Sequence, residues 1–113
     1  MKAYIIDPKR QIISSYVFKG DYTEIQKAIA EEGENAPYFD VVRLNSKNDT
    51  AYVDDMGYYK ENYFWSWEGY ANPLAGKALV LGTTASGNNT DVKLSITELT
   101  DKISFHGKAG PLL

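Results

Sequence analysis

The feature that most constrains the fold is a nearly continuous apolar run, Ala78-Leu79-Val80-Leu81, which lies between Lys77 and Thr83. A short apolar run of this kind, bounded by turn residues, is typical of a strand that is buried on both faces. The sequence therefore predicts a central strand over residues 77–83, and the other elements can be placed around it.

The segments before this run read as short strands that are joined by tight turns. Alternating, β-branched and aromatic residues predict four strands, at residues 2–7, 11–18, 38–44 and 50–54. Consecutive strands connected in this way pair antiparallel. The aromatic stretch Tyr63–Glu68 is also expected to be extended, with Tyr63, Trp65 and Trp67 on one side. A last short strand is expected at residues 104–106.

Two segments carry signals for the start of a helix. Asp21 precedes Glu24 by three residues, and Ser95 precedes Glu98 by three, which is the spacing of a capping box. The first helix is expected to end at Gly33 and the second near Ile103. We therefore predict an α+β fold: a mainly antiparallel, curved sheet of about five to six strands, one packed helix and a short C-terminal helix.

Length and composition exclude several classes of protein. The 113 residues fit a single domain, residues 1–113, in which residues 107–113 are expected to be a frayed tail. The absence of cysteine excludes disulfides, thiolate metal sites and a cysteine nucleophile. A net charge of −3, with mixed charges, argues against binding to duplex nucleic acid. No apolar run approaches the length of a membrane span.

The residues that could carry chemistry form no catalytic pattern. Asp54 and Asp55 are adjacent, so on a strand they point to opposite faces, and one of them is expected to close the turn at residues 55–57. His106 is the only histidine, and its position suggests a surface or capping role. Gly76-Lys77 lacks the rest of a phosphate-binding loop. We therefore expect no enzyme, no cofactor and no metal site.

Aromatic residues give the best indication of function, and they point to binding. The tryptophans are expected mainly in the core, whereas the tyrosines are numerous enough to extend to a contact surface. Lys77 and Arg43 could meet a phosphate as point charges. The candidate binding residues are Tyr58, Tyr59, Tyr63, Trp65, Tyr70, Asn72, Lys77, Arg43, Asp54 and Asp55.

Four stretches together resemble a family of small proteins of unknown function that bacteriophages and mobile elements encode. They are residues 2–8, 41–45, 52–57 and 72–82, of which Val53-Asp54-Asp55-Met56-Gly57 and Pro73–Gly82 are the most specific. Broadly similar small phage proteins include inhibitors of host defence, anti-CRISPR proteins among them. The resemblance implies a phage-derived accessory protein in the host cytoplasm, and it supplies no catalytic residues.

Two functional hypotheses follow. A third, that the protein is an enzyme, is the least supported. In the first, an aromatic patch with acidic neighbours, Asp54, Asp55, Glu61 and Glu68, binds and inhibits a host defence protein. In the second, an aromatic-lined pocket, at a subunit interface if the chain is a homo-oligomer, sequesters a nucleotide signal. Trp65 or Tyr70 would then stack on the base.

Overall fold

The structure, a computed structural model, describes residues 1–35 and 37–113. Nine strands, two α-helices and one 3₁₀ turn make up its regular elements. The strands are β1 (Lys2–Asp7), β2 (Ile12–Val17), β3 (Phe39–Arg43), β4 (Asp49–Asp54), β5 (Asn62–Trp67), β6 (Leu74–Ala75), β7 (Ala78–Thr83), β8 (Asn89–Thr90) and β9 (Ile103–Ala109). The helices are α1 (Tyr22–Ile29) and α2 (Ile96–Lys102), and the 3₁₀ turn is Gly57–Tyr59.

The predicted central strand is confirmed as β7. It pairs antiparallel with β1 on one side and with β4 on the other, in a first sheet of order β2-β1-β7-β4-β3, and β8 also pairs with its end. Leu79 and Leu81 are fully buried on the face that carries α1, while Ala78 and Val80 are fully buried on the opposite face. Each face of this six-stranded sheet therefore has its own hydrophobic core.

The second face is covered by a smaller sheet of order β6-β5-β9, which is also antiparallel. Trp65 and Trp67 of β5 pack there against Tyr4, Ile6 and other side chains of the first sheet. The fold is thus α+β, as the sequence predicts, with an antiparallel six-stranded sheet, a second sheet and two helices. The division of the strands into two packed sheets is an addition to that prediction.

Helix α1 begins where the sequence predicts but ends early. The Asp21 side chain caps it by accepting a hydrogen bond from Thr23 N at 3.0 Å. Ile25 and Ile29 bury one face against the first sheet. The predicted end at Gly33 is wrong, because Ala30 is already extended. The next turn offers the core no large apolar side chain, and it would place Glu31 and Glu32 at the negative end of the helix dipole.

The C-terminal segment is better ordered than the sequence suggests. Ser95 and Glu98 form the predicted capping box of α2. Residues 107–109 of the predicted frayed tail, 107–113, instead belong to β9, which runs to Ala109 and pairs with β5 as far as Asn62. Beyond it, the N–H groups of Leu112 and Leu113 donate to Tyr58 O. Gly107 has a φ of 80° at a register shift in this pairing, which explains why glycine is required there.

Neither helix of the part of the chain that the structure describes is long and apolar enough to cross a membrane.

A buried carboxylate joins β4 to the loop before α2. Asp49 is fully buried, and its Oδ1 accepts a hydrogen bond from Lys93 N at 2.8 Å. Its Oδ2 accepts from Leu94 N and from Asn45 Nδ2, both at 3.0 Å. Buried main-chain N–H groups without partners are costly, so this side chain fixes the path of the segment that leads into α2.

A hydroxyl–carboxylate contact joins β2 to α1. Tyr16 Oη donates to Glu24 Oε2 at 2.6 Å, while Glu24 Oε1 accepts from Lys19 N, so Glu24 is not the second half of a capping box with Asp21. The hydrogen bond, together with burial, raises the pKa of Tyr16 from 10.0 to about 12.

Replacing the buried Asp49 tests the importance of its hydrogen bonds. We expect Asp49→Ala to lower the free energy of unfolding by about 3 kcal/mol, because one buried and one partly buried N–H group lose their acceptor. Asp91→Ala is the matched control, since Asp91 Oδ1 also accepts a distant backbone N–H, that of Lys2, but is exposed. It should cost less than about 1 kcal/mol in urea unfolding. Equal losses of stability in the two variants would contradict the structural role assigned to Asp49.

The raised pKa of Tyr16 predicts a pH dependence of stability. The folded chain holds the phenolic proton more tightly than the unfolded chain, so this contribution is complete below pH 10 and is lost as the pH rises to 12. Tyr16→Phe lacks it at every pH. The difference in unfolding free energy between wild type and variant should therefore shrink from pH 10 to pH 12 in urea titrations. A constant difference would exclude the contact.

Candidate functional site

Both tryptophans of β5 belong to the core. Trp65 has an exposed fraction of 0%, and its indole N–H donates to Gly76 O at 3.1 Å. Trp67 is buried as well and donates to Leu44 O at 2.9 Å. The prediction that Trp65 is a binding residue is therefore corrected: its ring is already packed on both faces and is not available to stack on a ligand.

The 3₁₀ turn after β4 contains two candidate residues, Tyr58 and Tyr59. A Cβ on Gly57 would lie 2.9 Å from Ala75 Cβ, so the turn can approach β6 only with glycine here. The Tyr58 ring stacks on Phe64, with centroids 6.1 Å apart, and its hydroxyl donates to Pro73 O. Burial, with a smaller contribution from Tyr70, raises the pKa of Tyr58, so the hydroxyl remains a donor at neutral pH.

These contacts form a small depression between the two sheets, which we call the acidic–aromatic pocket. Its volume is about 130 Å³. Carboxylates and tyrosines surround an apolar floor. The lining residues are Asp40, Val42, Val53, Asp54, Asp55, Gly57, Tyr58, Tyr70, Leu74 and Ala75. Four of the predicted binding residues, Asp54, Asp55, Tyr58 and Tyr70, thus come together in one place.

The two adjacent aspartates have different environments. Asp54 Oδ2 forms an ion pair with Lys60 Nζ at 3.1 Å, and its Oδ1 accepts from Met56 N, which closes the turn. Lys60 also pairs with Glu34 at 2.9 Å; burial lowers its pKa, but these two hydrogen bonds outweigh that effect and raise it. Asp55 Oδ1 is buried and has no hydrogen-bond partner among residues 1–35 and 37–113. Asp55 therefore supplies the unsatisfied acceptor of the pocket.

An exposed apolar rim lies next to the acidic–aromatic pocket. Tyr38 is 73% exposed and Met56 53%, and both line a more open depression that also includes Asp54 and Asp55. Tyr59 is 56% exposed on the neighbouring turn. Large apolar side chains beside carboxylates are a common feature of protein contact surfaces.

Two other candidates, Tyr63 and Lys77, line a separate charged cavity of about 270 Å³. Four cationic and four acidic side chains surround it, so its formal charges balance. They are Lys9, Arg10, Lys60, Lys77, Glu31, Glu32, Glu34 and Glu61. Some are already paired: Arg10 contacts Asp7 at 3.0 Å, and Glu61 contacts Lys108 at 2.8 Å.

The remaining candidates, Arg43 and Asn72, are exposed and lie in neither cavity. Arg43 Nε donates to Asn45 O at 3.0 Å. The phosphate-binding and base-stacking residues of the nucleotide hypothesis are therefore not brought together: Lys77 lies in the charged cavity, Tyr70 in the acidic–aromatic pocket, and Trp65 in the core.

Two features of the surface are absent from the sequence predictions. Asp40 reaches the acidic–aromatic pocket because the β3–β4 hairpin pairs it with Val53, next to Asp54. The register of the predicted hairpin was the signal that could have identified Asp40.

Ser66 Oγ and His106 Nε2 lie 2.7 Å apart on an exposed part of the second sheet. In the described part of the chain no carboxylate contacts His106, and neither residue lines a cavity discussed above.

In residues 1–35 and 37–113, no group of three or more histidine, cysteine or acidic side chains is arranged to hold a metal ion. The three aspartates of the acidic–aromatic pocket do not form such a set.

Comparisons of the chain with protein families, with curated proteins and with solved structures find no match.

The close approach at Gly57 predicts a compensating pair of substitutions. Gly57→Ala should lower the free energy of unfolding by about 1–3 kcal/mol, because the new Cβ overlaps Ala75 Cβ. Adding Ala75→Gly removes that atom and should recover part of the loss. Urea unfolding of the single and double variants measures the coupling. Purely additive effects would show that the turn does not depend on this contact.

Proposed function

We propose that the protein is a non-enzymatic, phage-derived accessory protein that binds and inhibits a host defence protein in the host cytoplasm. The phage origin rests on the sequence resemblance given above. The mode of action rests on one observation: Asp55, in a pocket with tyrosine walls, has a buried Oδ1 without a hydrogen-bond partner among the described residues. The partner would insert a lysine or arginine side chain into this pocket.

The chemistry of the acidic–aromatic pocket fits such a cation. Asp55 offers a carboxylate that lacks a counter-ion, whereas Asp54 is already neutralised by Lys60. Tyr58 and Tyr70 supply aromatic faces, which attract a guanidinium or ammonium group. Leu74 at the floor can contact the aliphatic stem. A charge-assisted hydrogen bond between the cation and the Asp55 carboxylate would add to these contacts.

The rim supports a protein partner rather than a free amine. Tyr38, Met56 and Tyr59 extend the contact surface beyond the pocket itself. Tyrosine and methionine are enriched at protein interfaces, and a central pocket surrounded by such residues is typical of a binding hot spot.

The nucleotide sponge is the weaker hypothesis on this geometry. The charged cavity has Tyr63 and Lys77 in its favour, but its four cationic side chains are offset by four glutamates, so it has no excess positive charge to attract a phosphate group. A pull-down from host cells separates the two hypotheses, because a sponge would retain a nucleotide that is released on heating and would not retain a host protein.

A pull-down from a phage-susceptible bacterial host tests the proposal. We expect wild-type protein to retain one host protein in stoichiometric amount and Asp55→Asn to bind it at least about thirtyfold more weakly. Losing one member of a buried charge pair costs about 2 kcal/mol or more. Tyr59→Ala and Tyr70→Ala should weaken the same complex. Purified partner should lose activity as wild-type protein is added.

Asp101→Asn is the matched control, because it removes the same charge from an exposed position on α2. Circular dichroism confirms that each variant is folded. Equal binding by Asp55→Asn and wild type would reject the pocket, and an active partner in the complex would reject inhibition. A nucleotide released on heating, without a host protein, would favour the sponge.

A further inference from the structure

One long edge of the first sheet lacks the features that usually prevent strands from pairing with other chains. β2 is an edge strand whose sequence, Ile-Ile-Ser-Ser-Tyr-Val, contains no charge and no proline. Among the described strands, the other edges are protected: β3 carries Asp40 and Arg43, β9 carries Lys108 and a register shift, and β6 and β8 have two residues each. An open edge without charges is a template for another strand.

The hydrogen-bonding groups that face outward from β2 can be identified from its pairing with β1. Met1 and Phe18 exchange two main-chain hydrogen bonds, of 2.6 and 2.8 Å. Hydrogen-bonded and non-hydrogen-bonded pairs alternate along an antiparallel ladder. Residues 12, 14 and 16 therefore bond to β1, while the N–H and C=O groups of Ile13, Ser15 and Val17 point away from it.

One symmetric register with a second copy of β2 pairs all three of these residues with one another. A two-fold axis perpendicular to the sheet at Ser15 pairs Ser15 with its own equivalent and Ile13 with Val17 of the second copy. Each pair exchanges hydrogen bonds in both directions. The register also keeps side chains on matching faces, because all three lie on the face of Tyr4 and Ile6.

The side chains of this register complement one another. Val17 is 73% exposed in the single chain and would be covered by Ile13 of the second copy, which is half-buried and packs against the core. The serines at the axis are small and exposed, so the two backbones can approach closely. No like charges meet within the paired strands, since β2 has none.

We propose that two copies of this chain pair antiparallel through β2, about a two-fold axis at Ser15, and so join their six-stranded sheets edge to edge. The contact is mainly between backbones and buries few side chains, so the dimer dissociates at low concentration. It does not depend on the acidic–aromatic pocket, which lies at the opposite end of the strand order.

Cysteine cross-linking tests the register, because the natural chain has no cysteine. In a hydrogen-bonded pair the Cα atoms lie about 5.5 Å apart, within the range of a disulfide. We expect Ser15→Cys to form a covalent dimer under mild oxidation several-fold faster than Ser14→Cys, whose equivalents are two residues out of register. Val41→Cys, on exposed β3, is the control for random collision. Equal rates for the three variants would overturn the proposal.

Sedimentation equilibrium provides a test without cross-linking. Wild-type protein should pass from monomer to dimer between micromolar and millimolar concentration. Ser15→Pro should weaken this association, because it removes the outward N–H at the axis and leaves the hydrogen bonds to β1 in place. A monomer at every concentration would overturn the dimer and leave the edge to a strand of a different protein. Unchanged dimerisation of folded Ser15→Pro would overturn the register.

Discussion

The pairing of β7 between β1 and β4 is the constraint on which the rest of the structure depends. It places Leu79 and Leu81 on one face of the sheet and Ala78 and Val80 on the other, all fully buried. Burying one leucine or valine side chain contributes about 1.5–3 kcal/mol, so neither face can be left open to water. Helix α1 covers one face and the second sheet the other, which makes both covering layers consequences of a single strand.

The sequence was most informative where the physical cause is local. The Ser95–Glu98 capping box and the Asp21 cap involve residues within one helical turn, and they were predicted correctly. The pairing of β9 with β5 joins residues about 40 positions apart, and no local pattern indicates it. For the same reason the site was only partly predictable: Asp54, Asp55 and Tyr58 are neighbours in sequence, but the burial of Trp65 depends on which layer covers β5.

The acidic–aromatic pocket illustrates how one ion pair can define a binding preference. Lys60 lies between Glu34 and Asp54 and balances part of their charge, whereas Asp55 and Asp40, the other carboxylates of the pocket, form no ion pair in the described part of the chain. For binding a cation, the position of Asp55 inside the depression matters more than its charge alone. Partly buried charges are screened less by salt than exposed ones, so the pocket would keep its attraction for a cation at physiological ionic strength.

The strand order β2-β1-β7-β4-β3 has a consequence for the geometry of an edge-to-edge pair. The open edge and the acidic–aromatic pocket lie at opposite ends of this order. In the paired form the two β3 strands would be nine strand spacings apart, about 43 Å. The two-fold axis relates the two pockets by a half turn and places them at opposite ends of the joined, twisted sheet. Such an arrangement is bivalent, and a target that presents two cationic side chains at this separation would be held by avidity as well as by affinity.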